Sequence, residues 1–412
     1  MNPKLEFDAR VRRVTDAITL REPDRVPVIP VMEAFPVTYG GGTVQGILQD
    51  YRRGEAWFDA FFRDFQPDLG WDPVMFYPVQ FMEALGLTWL RWPGNQLDDP
   101  NSMYQFVEAE YMKGDEYREA VRDPTNFMMT RWIPRSFAHL QGFRKLSFRN
   151  AMWSGSIGSF ASFGDPEVID SLERCMKAGK ILTGWLDYLA SYRRKMGEQF
   201  GIPVAYAGSA FAPFDMIGDT MRGTEGVLMD MLERPEELLE LIDTVTDSAL
   251  ENQIRKSGPT GRPWVWFWLH KGGDEFMSDD QYARFYWPSL HRYLLGLIEA
   301  GLTPVLYCEG RYNSRLKHLR DVPRGKVVYD FELTDMATAK RELGDVACIA
   351  GNVPNVMLAH GGKRDVVDCV KQLIDDCAAG GGFMLDTAAL VDDAKPENLA
   401  ALFETAETYG RR

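Results

Sequence analysis

The stretch from Trp264 to Cys308 reads WVWFWLHKGGDEFMSDDQYARFYWPSLHRYLLGLIEAGLTPVLYC, and it decides the class of fold. It begins with a continuous apolar run, Trp264–His270, and ends with a second one, Thr303–Cys308. Such runs are typical of strands that are covered on both faces, as in a parallel sheet. The segment between them, Ser278–Ala300, starts with a serine cap and two aspartates and ends before a glycine, which predicts a helix. The stretch therefore predicts a strand–helix–strand unit.

The same alternation of apolar runs and helical patterns continues along the chain. The predicted strands are Val26–Met32, Trp71–Tyr77, Pro203–Ser209, Trp264–His270, Thr303–Cys308, Lys326–Phe331, Val346–Gly351 and Gly382–Asp386. The predicted helices of the last part of the chain are Ser278–Ala300, Thr334–Leu343, Lys363–Ala378 and Pro396–Tyr409. Strands that alternate with helices in this way favour the α/β class, and their number predicts a (β/α)8 TIM barrel.

A long segment separates the second predicted strand from the third. It contains a short antiparallel piece near Leu85–Trp92, and helices are predicted around Met103–Glu110 and Asp115–Val121. A further helix, Pro166–Gln199, leads back into the barrel. We therefore expect one domain over residues 1–412, with a large helical insertion at about residues 78–200 that covers one end of the barrel.

The composition limits the partners and the compartment. The formal net charge is −14, which repels phosphate backbones and anionic lipid, so neither nucleic acid nor membrane is an expected partner. The first residues are charged without an apolar signal segment, and no apolar stretch is long enough for a membrane helix. The five cysteines are scattered and form no Cys-x-x-Cys pair, which predicts reduced thiols in a cytoplasmic protein.

Residues at the carboxyl ends of barrel strands face the active site. His270, Glu309 and Asp330 end three predicted strands, and we expect them to be catalytic, because converging carboxylates and a histidine suit acid–base chemistry. The same three residues are also a candidate ligand set for a divalent metal ion. The predicted substrate contacts are Phe76, Tyr77, Trp268, Lys271, Tyr307, Arg311, Asn352 and Asp386.

Structural interpretations of these residues remain open. A histidine can complete a barrel rim, and an aspartate at a strand end can cap the following turn. Cys308 precedes Glu309, but side-chain alternation places the two on opposite faces, so Cys308 is predicted to belong to the core. The remaining histidines are predicted to be structural or exposed, namely His139, His291, His318 and His360.

Several motifs together resemble one family. Leu269–Gly310 contains a strand that ends in histidine, a Ser-Asp-Asp helix start, a Tyr-Trp-Pro segment and a Gly-Leu-Thr-Pro strand. Further motifs follow in order: Pro23 to Pro27, Pro213 to Gly223, Asp335, Ala339-Lys340, Leu343 to Asp345, Gly351 to Val353, the final Gly-Gly-Phe-Met strand and Pro396 to Asn398. These motifs extend over nearly the whole chain, and through them the sequence resembles the uroporphyrinogen decarboxylase-like superfamily. The resemblance implies a (β/α)8 barrel, and either decarboxylase or corrinoid-linked methyltransferase activity.

The chain departs from both branches of that superfamily. The haem-pathway decarboxylases carry an arginine-rich N-terminal motif that binds an acidic tetrapyrrole. Where the resemblance places that motif, this chain has Ile29 to Glu33, with the sequence IPVME. The resemblance places Tyr307, Glu309 and about Ala389 where the methyltransferases carry a His-x-Cys pair and a later cysteine that bind zinc. A divergent branch is therefore expected, in which Glu309 favours a harder metal or direct proton chemistry.

Three functions follow from this comparison. The first is a methyltransferase or demethylase that acts on a small, partly apolar, oxygenated substrate, oriented by Tyr307 and Asn352, with cobalamin on a separate corrinoid protein as acceptor. The second is a decarboxylase or another carbon–carbon or carbon–oxygen lyase without a corrinoid partner, in which Arg311 and Lys271 hold a carboxylate. The third is a non-catalytic ligand-binding barrel. The resemblance and the aromatic residues of the insertion also predict a homodimer.

Overall fold

The computed structural model describes residues 2–146, 155–206, 208–257 and 264–411. Its strands are β1 Leu90–Arg91, β2 Gln105–Phe106, β3 Gly208–Phe211, β4 Trp264–Leu269, β5 Thr303–Cys308, β6 Val328–Phe331, β7 Cys348–Val353 and β8 Phe383–Thr387. β3 to β8 form one sheet in sequence order, and each pair of neighbours is parallel. Helices connect these strands, as the right-handed crossovers of a parallel sheet require.

Two short segments close this sheet into a barrel. Val28 pairs in parallel with Leu385 of β8, and Gly70 pairs in parallel with Val204, shortly before β3. The two segments meet where the amide of Asp68 donates to the carbonyl of Val28 at 2.8 Å. The sheet thereby returns to its first edge, and the predicted (β/α)8 TIM barrel is confirmed.

The second predicted strand, Trp71–Tyr77, is wrong. Pro73–Met75 forms a 3-10 turn instead, and the sheet pairing of this segment is at Gly70. Proline has no N–H to donate to a neighbouring strand and its ring fixes φ, so the pairing at Gly70 does not extend through Pro73. The third predicted strand, Pro203–Ser209, is displaced, because β3 begins and ends later. The other predicted strands overlap the observed segments.

Helices surround the barrel. The α-helices are Pro3–Ile18, Phe35–Tyr39, Val44–Gln49, Gly54–Phe65, Val79–Leu85, Tyr117–Arg122, Pro124–Phe127, Ile133–Ser136, Gly155–Ala161, Pro166–Lys195, Pro213–Ile217, Gly223–Glu233, Pro235–Ser257, Asp279–Gln281, Trp287–Glu299, Leu316–Leu319, Met336–Leu343, Asn355–His360, Lys363–Cys377 and Pro396–Tyr409. Wider π-helical turns occur at Met128–Trp132, Met196–Phe200, Gly218–Arg222 and Tyr282–Tyr286. No helix in the described ranges combines the length and the apolar character that crossing a bilayer requires.

The helix predicted over Ser278–Ala300 is interrupted by the π-helical turn Tyr282–Tyr286. Pro288 lies just after this turn and lacks the N–H that would continue the regular hydrogen-bond ladder. This helix begins where the sequence predicts, because Ser278 and Gln281 form a reciprocal capping box at its N-terminus.

The chain between the second barrel segment and β3 forms a hairpin, several short helices and the 30-residue helix Pro166–Lys195. β1 and β2 pair antiparallel, with Leu90 opposite Phe106, so the predicted antiparallel piece is present. The helix predicted at Met103–Glu110 is wrong, because β2 lies within it. Arg222 fastens this region to the barrel through ion pairs with Glu110 and Asp230.

Candidate active site at the barrel mouth

Polar side chains gather at the carboxyl ends of β4, β5 and β6. In the sheet register Trp268 pairs with Tyr307, and Tyr307 pairs with Asp330. Side chains alternate along a strand, so a residue two positions further on lies on the same face, one level higher. His270 and Glu309 therefore lie above Trp268 and Tyr307, at the mouth of the barrel.

The His270 imidazole lies between two carboxylates. Its Nδ1 is 2.7 Å from an oxygen of Asp219, and its Nε2 is 3.9 Å from an oxygen of Glu309. Asp219 comes from the turn Gly218–Arg222 that follows β3, and its second oxygen accepts a hydrogen bond from Lys271 Nζ at 2.5 Å. The His270 side chain is 33% exposed, so it is partly accessible from the mouth.

The electrostatic surroundings favour a protonated His270. Burial alone would lower the pKa of His270, but the hydrogen bond and the charge of Asp219 outweigh it, so the pKa is raised. Burial opposes ionisation of Asp219, yet the hydrogen bond and charge of His270, assisted by Lys271, hold the pKa of Asp219 below its usual value. Burial raises the pKa of Glu309, and His270 offsets this only in part. The arrangement suits a proton donor held by a permanent anion.

Asp215 fixes the backbone that carries His270. Its two oxygens accept hydrogen bonds from the amides of His270 and Lys271, each at 3.0 Å, and one also accepts from the Tyr286 hydroxyl at 2.6 Å. The Asp215 side chain is fully buried, and burial together with the charge of Asp219 raises its pKa to about 6. Asp215 thus determines where β4 ends and how His270 is presented.

Replacing Asp215 by alanine is expected to lower the free energy of unfolding by about 3 kcal/mol, because three donors lose their acceptor in the interior. Asp215→Asn keeps one carbonyl acceptor and should lose less. Chemical denaturation followed by circular dichroism measures both values, and Asp8→Ala on the exposed face of the first helix is the matched control. Equal stabilities of Asp215→Ala and Asp8→Ala would contradict this role.

Asp330 and Asp386 form a second carboxyl pair, deeper in the barrel. Both side chains are fully buried. Asp386 accepts hydrogen bonds from the amides of Val31 at 3.1 Å and Thr387 at 2.6 Å, whereas neither Asp330 oxygen has a hydrogen-bond donor among the described residues. Burial raises the pKa of Asp330 well above its usual value and that of Asp386 to about 7. Two buried carboxyls in contact favour a single shared proton near neutral pH.

Aromatic rings lie one level below His270 in the barrel. The Trp268 and Tyr307 rings meet edge to face at 5.7 Å, and the Trp268 indole donates to Ser209 at 2.9 Å. The ring of Phe211, the last residue of β3, packs against His270 at 5.5 Å. Trp268 and Tyr307 therefore lie where the sequence predicts them, as an apolar wall with a few polar groups, which suits a small organic ligand.

The two aromatic residues predicted from the second strand are placed differently. Phe76 is 1% exposed and packs edge to face on Phe58, so it belongs to the core. Tyr77 is partly exposed, and its ring packs against Tyr104 and Trp185. This displacement follows from the turn at Pro73, which ends the strand that was expected to carry both side chains.

The predicted substrate-binding cations are already paired with carboxylates. Lys271 is buried and bound to Asp219, while Arg311 is 56% exposed and bound to Glu275 at 2.9 Å. The side chain of Asn352 donates to two backbone carbonyls at the end of β6, so its amide group holds neighbouring loops together. A substrate carboxylate would share these cations with the carboxylates that already neutralise them.

The predicted metal ligands do not assemble as one set. His270 and Glu309 are neighbours, but Asp330 is buried one level below them with Asp386. No group of three or more histidine, cysteine, aspartate or glutamate side chains in the described ranges is arranged to hold a metal ion. The metal site therefore stays a prediction, and no chemical step is derived from it below.

Four acidic groups that were not among the predicted site residues contribute to this end of the barrel. Asp219 and Asp215 lie four residues apart on the chain after β3, and that spacing was the one available signal. Glu33 and Asp392 form another carboxyl pair, in which burial and the neighbouring carboxyl raise the pKa of Glu33 to about 8. The paths of the loops that carry these residues do not follow from strand periodicity.

Asp72, Arg193 and Tyr206 form a hydrogen-bonded cluster beside the aromatic wall, and the sequence did not predict it. Asp72 is buried and accepts hydrogen bonds from Arg193 at 2.6 Å and from the Tyr206 hydroxyl at 2.8 Å. Trp71 stacks on Tyr206 at 4.8 Å. Arg193 comes from the helix Pro166–Lys195, so it was far from any strand end in sequence.

A parallel barrel with titratable side chains at the carboxyl ends of its strands is the arrangement of TIM-barrel enzymes. The model of the family described as uroporphyrinogen decarboxylase (URO-D) matches residues 158–409, more than half of the chain. The chain belongs to this family.

A methyltransferase from Methanosarcina mazei is similar in fold, with a TM-score of 0.62 and 16% sequence identity, over 96% of this chain and 98% of that chain. No curated protein matches the chain in sequence. At this level of identity the likeness concerns the fold.

Proposed function

We propose that this chain is a methyltransferase or demethylase that removes a methyl group from an oxygen of a small, partly apolar substrate. The observation that carries the proposal is the partly exposed His270 imidazole, whose Nδ1 lies 2.7 Å from Asp219 and whose Nε2 lies beside Glu309. In this function His270 is the general acid, and Trp268 and Tyr307 supply the apolar contact.

The proton and electron balance of the reaction suits this pair. The bond between the methyl carbon and the substrate oxygen breaks, and the methyl carbon forms a bond to the nucleophile of an acceptor. The oxygen keeps the electron pair of the broken bond and takes a proton from Nε2 of His270. Asp219 stabilises the imidazolium before this transfer and keeps the ring in position.

The acceptor that we propose is cobalamin on a separate corrinoid protein. The support is the resemblance of the chain to corrinoid-linked methyltransferases and its likeness in fold to a protein named a methyltransferase. A nucleophilic cobalt would supply the acceptor for the methyl group. The residues of this chain bind and orient the substrate and deliver the proton.

The paired cations favour this function over decarboxylation of a free acid. Lys271 and Arg311, the residues expected to hold a substrate carboxylate, are bound by Asp219 and Glu275. The mouth also carries Glu309, whose ionised form would repel an anion. These charges favour a neutral or cationic substrate.

A lyase is the second candidate, and Asp330 favours it. A buried carboxyl with a raised pKa carries a proton near neutral pH, and such a group can protonate carbon after carbon dioxide leaves. A lyase of this kind would need no corrinoid partner.

A product assay distinguishes the two candidates. The purified chain is incubated with aryl and alkyl methyl ethers and with the matching carboxylic acids, each with and without a reduced corrinoid protein, and products are identified by mass spectrometry. We expect replacement of a methyl group by hydrogen, dependent on the corrinoid protein and lost in His270→Gln. Loss of carbon dioxide without the corrinoid protein would overturn the proposal in favour of the lyase.

A further inference from the structure

Two segments of the chain between β2 and the helix Pro166–Lys195 hold the turn Gly218–Arg222, which carries Asp219. They are the segment Glu108–Met112 and the π-helical turn Met128–Trp132. The turn that they hold is itself π-helical, a rare conformation that often occurs at functional sites. Contacts from these two segments can therefore decide where the Asp219 carboxylate lies.

The segment Glu108–Met112 fixes the C-terminal end of the turn. The amide of Met112 donates to the carbonyl of Met221 at 2.7 Å, and the carbonyl of Met112 accepts from the Arg222 guanidinium at 2.6 Å. Arg222 is buried and also donates to Asp230 at 2.5 Å. The last two residues of the turn are thus tied to this segment through a backbone group and a side chain.

Trp132 holds the middle of the turn. Its indole Nε1 donates a hydrogen bond to the carbonyl of Thr220 at 2.6 Å, and its ring packs edge to face on Phe137 at 5.8 Å. Thr220 directly follows Asp219 in the chain. The hydrogen bond from Trp132 therefore acts on the backbone one residue away from the carboxylate that contacts His270.

The barrel supports the same turn through Lys271. A Cβ on Gly218 would lie 2.9 Å from both Cδ and Cε of Lys271 and 3.2 Å from Cγ1 of Val227, so a larger residue would force a shift. The turn thus packs directly on the lysine side chain. Its position is set jointly by the barrel and by the two segments that precede the long helix.

We propose that Trp132 is a positioning residue of the site: its hydrogen bond to Thr220 keeps the turn Gly218–Arg222 where Asp219 contacts both His270 and Lys271. These two contacts, at 2.7 Å and 2.5 Å, use one oxygen of Asp219 each, so a displaced turn would lengthen at least one of them. The effect of Trp132 on turnover rests on the proposed function, whereas its effect on the Asp219–His270 contact needs no substrate.

The protonation of His270 reports the position of Asp219. Burial lowers the pKa of His270, and the hydrogen bond and charge of Asp219 outweigh burial only while the two groups are close. Of the charged groups around His270, only Asp219 lies on the turn that Trp132 holds; the others are Asp215, Lys271 and Glu309. Loss of the Trp132 hydrogen bond should therefore lower the pKa of His270.

Trp132→Phe tests this role in the full-length chain, because it removes the N–H donor and keeps an aromatic ring. In a nuclear magnetic resonance titration we expect the pKa of His270 to fall between that of the original chain and that of Asp219→Asn. With the substrate from the product assay, kcat should fall about tenfold at unchanged KM. The matched control is Trp89→Phe, since the Trp89 indole N–H has no acceptor among the described residues.

A His270 pKa that Trp132→Phe leaves unchanged, or that Trp89→Phe lowers equally, would overturn the positioning role. Hydrogen exchange of the original chain examines the same bond without a substitution. The Trp132 indole N–H, assigned through its own side-chain carbons, should exchange at least tenfold more slowly than that of free tryptophan, because a hydrogen-bonded N–H is protected. Exchange as fast as in free tryptophan would also overturn the role. A lowered pKa without any methyl transfer in the product assay would support the role of Trp132 and contradict only the proposed function.

Discussion

Replacing His270 by glutamine is expected to lower kcat for methyl-ether cleavage about a thousandfold, because the departing oxygen then leaves without a proton from the protein. KM should change little, since the apolar wall of Trp268 and Tyr307 is kept. The measurement is steady-state turnover with the substrate that the product assay identifies. Glutamine keeps a polar group at the site, so the fold is retained.

The control for this variant is His360→Gln, which changes an exposed histidine on the helix Asn355–His360. Both variants should melt within a few degrees of the original chain, and the control should keep its turnover. If His270→Gln retained turnover within a fewfold of the original chain, the proton would come from another group, and Asp330 would be the next candidate.

Asp219→Asn is expected to lower kcat about a hundredfold at neutral pH and to move the pH dependence in a defined direction. His270 acts in its protonated form, so the rate falls as pH rises through the pKa of His270. Asp219 raises that pKa, so removing its charge lowers it, and the fall should then occur at a lower pH. A pH–rate profile of the variant beside that of the original chain measures this shift.

Asp280→Asn, on an exposed part of the helix Asp279–Gln281, removes the same charge away from the mouth and should leave the profile in place. A profile of Asp219→Asn that falls at the same pH as the original, with the rate merely reduced, would show that Asp219 does not set the protonation of His270.

Most of the barrel follows from local patterns. Continuous apolar runs define β4 to β8, because a strand covered on both faces has no polar side to interrupt it. The prediction of the second strand was wrong for a local reason, because the apolar run Trp71–Tyr77 contains Pro73, which cannot take part in the pairing. Apolar character alone did not distinguish a strand from a buried turn.

The site was predictable only where strands carry it. His270 and Glu309 follow directly from the ends of β4 and β5, and the structure brings them within 3.9 Å. Asp219 and Asp215 come from the chain after β3, whose path over the mouth depends on tertiary packing. Whether Lys271 is ion-paired depends on the same loop, because its partner Asp219 lies there.

The acidic groups of the mouth also explain the departure from the porphyrinogen branch. Glu33 replaces part of an arginine-rich motif and pairs with Asp392, and Glu309 stands where the resemblance places a zinc-binding cysteine. Neither residue supplies the positive charge that would bind a polyanionic tetrapyrrole. A small neutral or cationic substrate is therefore part of the proposed function.

Nuclear magnetic resonance titration of the His270 imidazole, assigned by its loss in His270→Gln, examines the Asp219–His270 pair without any substrate. The pKa of His270 should lie above the ordinary histidine value in the original chain and fall in Asp219→Asn. A pKa at or below the ordinary value, unchanged by Asp219→Asn, would contradict the proposal that this pair is the acid of the site.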